Sequence, residues 1–144
     1  MRSLLDINVL IALLDPDHAF HARAHAWWRK EKPAWASCPL TENGVVRIMS
    51  SLSYSKARPF TVAELAHQLQ IFSASTKHAF WPDSLSVRDR SAFHHERVLT
   101  SRHLTDVYLL ALALENKGRF VTFDQGIPLA AVVNATPRHL LVLN

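Results

Sequence analysis

Short apolar runs alternate along the chain with longer amphipathic stretches. Ser3-Leu4-Leu5-Asp6-Ile7 predicts a short buried strand interrupted by an acid, and Val9–Leu14 continues as an apolar run long enough for a helix under a sheet. Asp15-Pro16-Asp17 breaks that run, and Asp17 is positioned to cap a second helix over about 17–31. The apolar face of this helix is Phe20, Ala24, Trp27 and Trp28, and Lys32-Pro33 ends it. Trp35-Ala36-Ser37 reads as a second strand and Pro39–Ser50 as a third helix, with Ser50–Pro59 a polar loop. Thr61 and Glu64 form a capping-box pair ahead of a stripe of Val62, Leu65, Ala66, Leu69 and Phe72. His78–Pro82 suggests a third strand stopped by proline, and residues 83–104 suggest loops around a short helix. A helix capped by Thr105 then runs to about Lys117, apolar nearly all round and closed by Asn116–Gly118. Strands over Arg119–Phe123 and Leu140–Leu143 complete the pattern, with Gln125-Gly126 as a turn.

Strands that alternate with helices, with few hairpin signals, predict an α/β fold whose central, mostly parallel sheet is flanked by helices. With 144 residues, and no linker rich in Gly, Ser or Pro, residues 1–144 read as a single domain. At 49% hydrophobic and 19% charged, the chain is neither disordered nor of low complexity. No apolar run reaches the ~20 residues of a membrane span, and Asp6 interrupts the only N-terminal run that could resemble a secretory leader. The one cysteine, Cys38, excludes an internal disulfide and suits a reducing, cytoplasmic setting.

In open parallel sheets, ligands sit beyond the carboxyl ends of the strands. Four acids map to that edge: Asp6 at the end of the first strand, Glu42 in the first turn of a helix, Asp106 at the start of the central helix, and Asp124 directly after a strand. Taken singly, Glu42 is an exposed acid, Asp106 a helix-start acid and Asp124 a turn residue. Asp6 resists that treatment, because a charge inside an apolar run is costly unless paired or bound to a cation, and no Lys or Arg lies in this segment. Gathered together, the four would stay ionised only around a cation, and oxygen-only ligands favour Mg²⁺ or Mn²⁺. Such an ion serves phosphoryl chemistry.

At these residues the sequence resembles the VapC-type toxins of the PIN-domain family. The resemblance is carried by residues 4–18 (Leu-Leu-Asp-Ile-Asn-Val-Leu-Ile-Ala-Leu-Leu-Asp-Pro-Asp-His), 39–44 (Pro-Leu-Thr-Glu-Asn-Gly), 104–113 (Leu-Thr-Asp-Val-Tyr-Leu-Leu-Ala-Leu-Ala) and 121–126 (Val-Thr-Phe-Asp-Gln-Gly), with Phe80–Asp83 in support. It implies a three-layer PIN-like domain and a Mg²⁺- or Mn²⁺-dependent endoribonuclease that hydrolyses RNA phosphodiester bonds. It also implies a homodimer held in check by a cognate VapB-type antitoxin, in a heterotetramer or larger assembly. By motif, Asp6, Glu42, Asp106 and Asp124 match the family's acidic quartet as catalytic and metal-binding residues, and Asn8 and Thr122 match polar residues that orient them.

Three other readings compete: a receiver-like Mg²⁺-binding signalling domain, a catalytically silent antitoxin-binding module, and a DNA nuclease on the same fold. The first wants adjacent acids after the first strand, where this chain has Asp6-Ile7-Asn8. The intact quartet argues against the second. His18, His21 and His25 share one helix face and read as polar surface rather than a metal patch. Arg88, Arg90, Arg97 and Arg102 make the approach to Asp106 basic, and Arg47 lies a little over one helical turn past Glu42; all five are candidates for RNA phosphates. The formal charge of +4 sharpens accordingly, since turning four acids inward leaves eight acids against 16 Lys and Arg on the rest of the molecule.

Overall fold

The structure is a computed structural model that describes all 144 residues. Five short strands form one parallel sheet: β1 (Ser3–Leu5), β2 (Trp35–Ser37), β3 (His78–Phe80), β4 (Arg119–Thr122) and β5 (Leu140–Val142), in the order β3-β2-β1-β4-β5. The helices are α1 (Ile7–Leu14), α2 (His21–Glu31), α3 (Pro39–Met49), α4 (Val62–Ala74) and α5 (Leu104–Glu115). The chain winds from β1 through β2 to β3 on one side, then crosses back through α5 to β4 on the other. The topological switch point therefore falls between β1 and β4, where Leu4 is level with Phe120 and Leu5 with Val121.

Side-chain alternation splits the core into two layers. Leu4, Ala36 and Phe120 face α5, while Leu5, Trp35 and Val121 face α1, α2 and α3. Every residue of α5 from Val107 to Ala113 is buried, as its all-round apolarity predicts. On the opposite layer Val9–Leu13 of α1 are buried, and Trp28 and Phe72 pack against Trp35 with ring centroids 6.2 and 5.1 Å away. Full burial of one such Leu or Phe contributes about 1.5–3 kcal/mol.

Several boundaries differ from the sequence expectation. Ile7 belongs to α1, not to the first strand, because the Asp6 carboxylate caps that helix and accepts the Ile7 N–H at 2.7 Å. The second helix begins at His21 rather than Asp17. Asp15 takes the Asp17 N–H on its carboxylate, which holds residues 15–20 in turns, and Phe20 occupies the N-cap. The central helix begins at Leu104, with His103 at the N-cap and Thr105 inside its first turn. The segment 83–104 folds into two 3₁₀ turns, His95–Arg97 and Ser101–His103. His21 and His25 bond the Ala12 and Leu13 carbonyls at 2.7 and 3.1 Å, so they close the C-terminus of α1 rather than forming a polar surface or a metal patch. The expected capping box Thr61–Glu64 is present.

α5 ends in a reverse turn in which Gly118 N–H bonds Ala113 O at 2.8 Å and Lys117 N–H bonds Leu114 O at 3.0 Å. A Cβ on Gly118 would lie 2.6 Å from the Arg2 carbonyl oxygen and 2.8 Å from Trp81 Cη2. Because the first of these neighbours is backbone immediately before β1, the clash cannot be relieved by a rotamer change. Gly118→Ala is expected to lower stability by about 1–3 kcal/mol, measured by urea unfolding.

Candidate active site

Asp6 follows β1 and Asp124 follows β4 by two residues, so neighbouring strands deliver both acids to the same edge. Asp106, in the first turn of α5, reaches that edge from the layer beneath. The three line one cleft of about 200 Å³ together with Asn8, Ile48, Arg102, Thr105, Thr122 and Phe123. Thr122 ties the acids together. Its hydroxyl donates to Asp6 Oδ2 at 2.7 Å and accepts the Asp124 N–H at 3.1 Å. Asp124 in turn accepts the Gly126 N–H on Oδ1 at 2.7 Å, which fixes the loop after β4.

The electrostatics are those of crowded like charges. Asp6 is 7% exposed, and burial pushes its carboxyl above the ordinary range, against the Thr122 and Ile7 hydrogen bonds, with the charge of Asp124 adding to the rise. Asp106 is raised to about 7, first by burial and then by the negative charges of Asp6 and Asp124. Arg102 is the one basic side chain lining the cleft. As the side chains stand, no three acidic, His or Cys groups close on a single point. The donor set is nonetheless all oxygen, crowded and short of positive charge, which fits a hard divalent cation such as Mg²⁺ or Mn²⁺.

Comparison with known proteins agrees with this architecture. A family model described as PIN domain matches residues 3–133. Ribonuclease VapC44 of Mycobacterium tuberculosis is 45% identical over 144 residues, covering 99% of this chain and 100% of its own. The chain belongs to the PIN-domain family and is of VapC type. Ribonuclease VapC39 of the same organism is 40% identical over 128 residues, covering 88% of this chain and 91% of its own. The fold is also that of the crystal structure of M. tuberculosis VapC20, a sarcin-ricin loop cleaving toxin, with a TM-score of 0.61 at 13% identity over 94% of this chain and 99% of that one.

Of the residues expected from sequence, this VapC-type fold brings Asp6, Asp106, Asp124, Asn8, Thr122 and Arg102 into one cleft. Glu42 lies elsewhere. On α3 it shares the stripe Glu42, Val46 and Ser50, which faces α4 across a cavity of about 870 Å³. Its carboxylate accepts the Ser37 hydroxyl at 2.5 Å, and that hydroxyl also bonds His78 Nε2 at 2.7 Å. The adjoining face of α3, with Pro39, Leu40, Asn43, Gly44 and Arg47, turns toward Ile7, Asp83 and Thr105. Arg47 thus borders the α3–α4 cavity and this second hollow, not the acid cleft. Arg88, Arg90 and Arg97 are exposed, and the Arg88 side chain bonds Ser86 Oγ.

Sequence reasoning missed Phe123 as a cleft residue, and counted His103 only among the basic residues on the approach to Asp106. Phe123 sits between Thr122 and Asp124, so its place at the cleft follows from the motif itself. His103 Nε2 is buried without a hydrogen-bond partner; a Cβ on Gly126 would lie 3.6 Å from it and 3.3 Å from Asp124 Oδ1. Nothing in the sequence signals that approach.

Because Asp106 holds its proton to about pH 7 in the folded protein but only to about pH 4 when unfolded, the folded state binds more protons between those values. Stability therefore falls as pH rises through that window. In chelator, the melting temperature of the wild type is expected to drop between pH 4 and 7 more than that of Asp106→Asn, and the variant should be the more stable of the two at pH 8.

Proposed function

We propose that the protein is a Mg²⁺- or Mn²⁺-dependent endoribonuclease toxin, working at the cleft of Asp6, Asp106 and Asp124 and restrained by a VapB-type antitoxin. The observation that carries this reading is three carboxylates lining one cleft at the switch point of a VapC-type fold, with Asp6 and Asp106 desolvated and Asp106 raised to about 7, first by burial and then by the charges of Asp6 and Asp124. The relatives named as ribonucleases support RNA as the substrate. A bound divalent cation would supply Lewis acidity and an activated water for phosphodiester hydrolysis.

The chain's own residues divide the work. Asp6, Asp106 and Asp124 would hold the cation, whose charge would offset the burial and the repulsion that raise Asp6 and Asp106. Thr122 fixes the orientation of Asp6 and of the backbone at Asp124, as an outer hydrogen-bond partner does for a metal ligand. Arg102, at the lip of the cleft, and the exposed Arg88, Arg90 and Arg97 draw in the RNA backbone. Arg47 is retained only for RNA that extends beyond the cleft along α3. Glu42 completes the acidic quartet by resemblance; to reach the cleft it must release the Ser37 hydroxyl. A homodimer and a toxin–antitoxin assembly belong to the same reading. No helix is long and apolar enough to cross a membrane, and a cytoplasmic site of action fits an RNA substrate.

Single-stranded RNA incubated with purified protein should be cleaved only with Mg²⁺ or Mn²⁺, leaving 5′-phosphate ends. Asp6→Asn and Asp106→Asn should abolish cleavage without unfolding the protein, and Thr122→Val should reduce it about 10–100-fold. No metal-dependent cleavage by the wild type, or full activity in both Asn variants, contradicts the proposal. Glu42→Gln separates two roles: a loss like that of Asp106→Asn places its carboxylate at the cation, and retained activity leaves it as the partner of Ser37.

A further inference from the structure

We propose that Phe20 and Phe123, with Arg23, form a shelf beside the acid cleft on which an unpaired nucleobase of the RNA stacks. This rests on the ribonuclease reading above and adds to it a subsite for the nucleotide flanking the scissile phosphate.

The shelf runs outward from the acids. Phe123 lines the cleft next to Asp124. Phe20 packs on Phe123 with ring centroids 4.9 Å apart and planes inclined at 52°. The Arg23 guanidinium lies 4.5 Å from the Phe20 centroid, and the His18 ring lies 5.8 Å from it. His18 is itself held, since its Nδ1 accepts the Phe20 N–H at 3.0 Å. Phe123, beside Asp124, thus leads to Phe20, against which both the Arg23 guanidinium and the His18 imidazole are held.

Folding does not account for this arrangement. By spacing, Phe20 should share a buried stripe with Ala24, and Ala24 is fully buried, yet Phe20 remains 38% exposed. It also occupies the N-cap of α2 without supplying a cap hydrogen bond, where Ser, Thr, Asp or Asn would stabilise the helix by about 1 kcal/mol. The position therefore gives up a cap and part of its burial to keep a partly exposed ring against Phe123. Unpaired bases are recognised by stacking on aromatic rings and Arg planes, and Arg23 adds a charge for the adjoining phosphate. Paired bases present no free face to such a shelf, so the shelf favours single-stranded or looped RNA.

The test uses Asp106→Asn protein, to prevent cleavage, and a fluorescein-labelled 12-nucleotide RNA of mixed sequence, alone or annealed to its complement, read by anisotropy at fixed salt and Mg²⁺. Adding Phe20→Ala should weaken binding of the single strand about 5- to 150-fold and of the duplex little. Phe20→Trp should restore it. Phe20→Leu, which keeps apolar packing on Phe123, should retain the parent melting temperature and still lose single-strand affinity. In the cleaving protein the loss should appear mainly in KM. Single-strand affinity within twofold of the parent in both Ala and Leu variants, with cleavage intact, overturns the shelf and leaves the ribonuclease reading standing; it would assign the exposed ring to a protein partner. Equal losses for single strand and duplex also overturn it, because they indicate a structural role. Absence of RNA binding and cleavage in the otherwise wild-type protein overturns both readings together.

Discussion

The repulsion among Asp6, Asp106 and Asp124 is the constraint around which this molecule is organised. Three carboxylates share a small, partly desolvated cleft, and the charges acting on Asp106 are both negative. Left to itself, such a cluster opposes folding at neutral pH. It persists because each acid is placed by an element that the core requires for other reasons. Asp6 ends a fully buried strand and caps α1, Asp124 follows the adjacent strand, and Asp106 rides on α5, whose residues Val107–Ala113 are buried.

Thr122 is the connection between backbone and chemistry. Its hydroxyl serves the two acids in both directions, donating to Asp6 and accepting from the backbone of Asp124. A valine would fit the same buried strand position and would leave Asp6 with one fewer donor to its charged form. The crossover that puts β4 beside β1 is equally necessary, since only neighbouring parallel strands end at the same edge. Around this negative centre the exposed arginines of the 88–102 segment give the opposite field. A modest net charge thus divides into an acidic cleft and a basic surface beside it.

The parallel α/β architecture, a sheet flanked by helices, was legible in the chain because apolar runs of the right length alternate with amphipathic ones, and its three-layer character followed from the family resemblance. Every strand and longer helix expected from that pattern is present; the short helix expected within 83–104 is two 3₁₀ turns, and the remaining errors lie at the ends of elements. Asp6 looked like the end of a strand and proved to be a helix cap, because one carboxylate can do both. Asp17 looked like a cap and instead gives its N–H to Asp15. The three aspartates and Thr122 could be placed from motif order alone. Glu42 could not, because its direction depends on the rotation of α3 and on the Ser37 hydroxyl at the end of β2, a tertiary contact that spacing does not encode. Phe20 was assigned to a buried stripe by its period, and the structure puts it against Phe123 at the cleft. In both cases local pattern named the residue and tertiary packing decided its partner.

If a divalent cation is what resolves the crowding, its binding must displace protons, because Asp106 is still partly protonated near pH 7. Calorimetric titration of Mn²⁺ at pH 6.5, in two buffers of different ionisation enthalpy, measures that displacement directly. The account predicts net proton release on binding, shrinking as pH rises toward 8.5 and smaller in Asp106→Asn. Absence of Mn²⁺ binding, or binding with no proton release at pH 6.5, would contradict it.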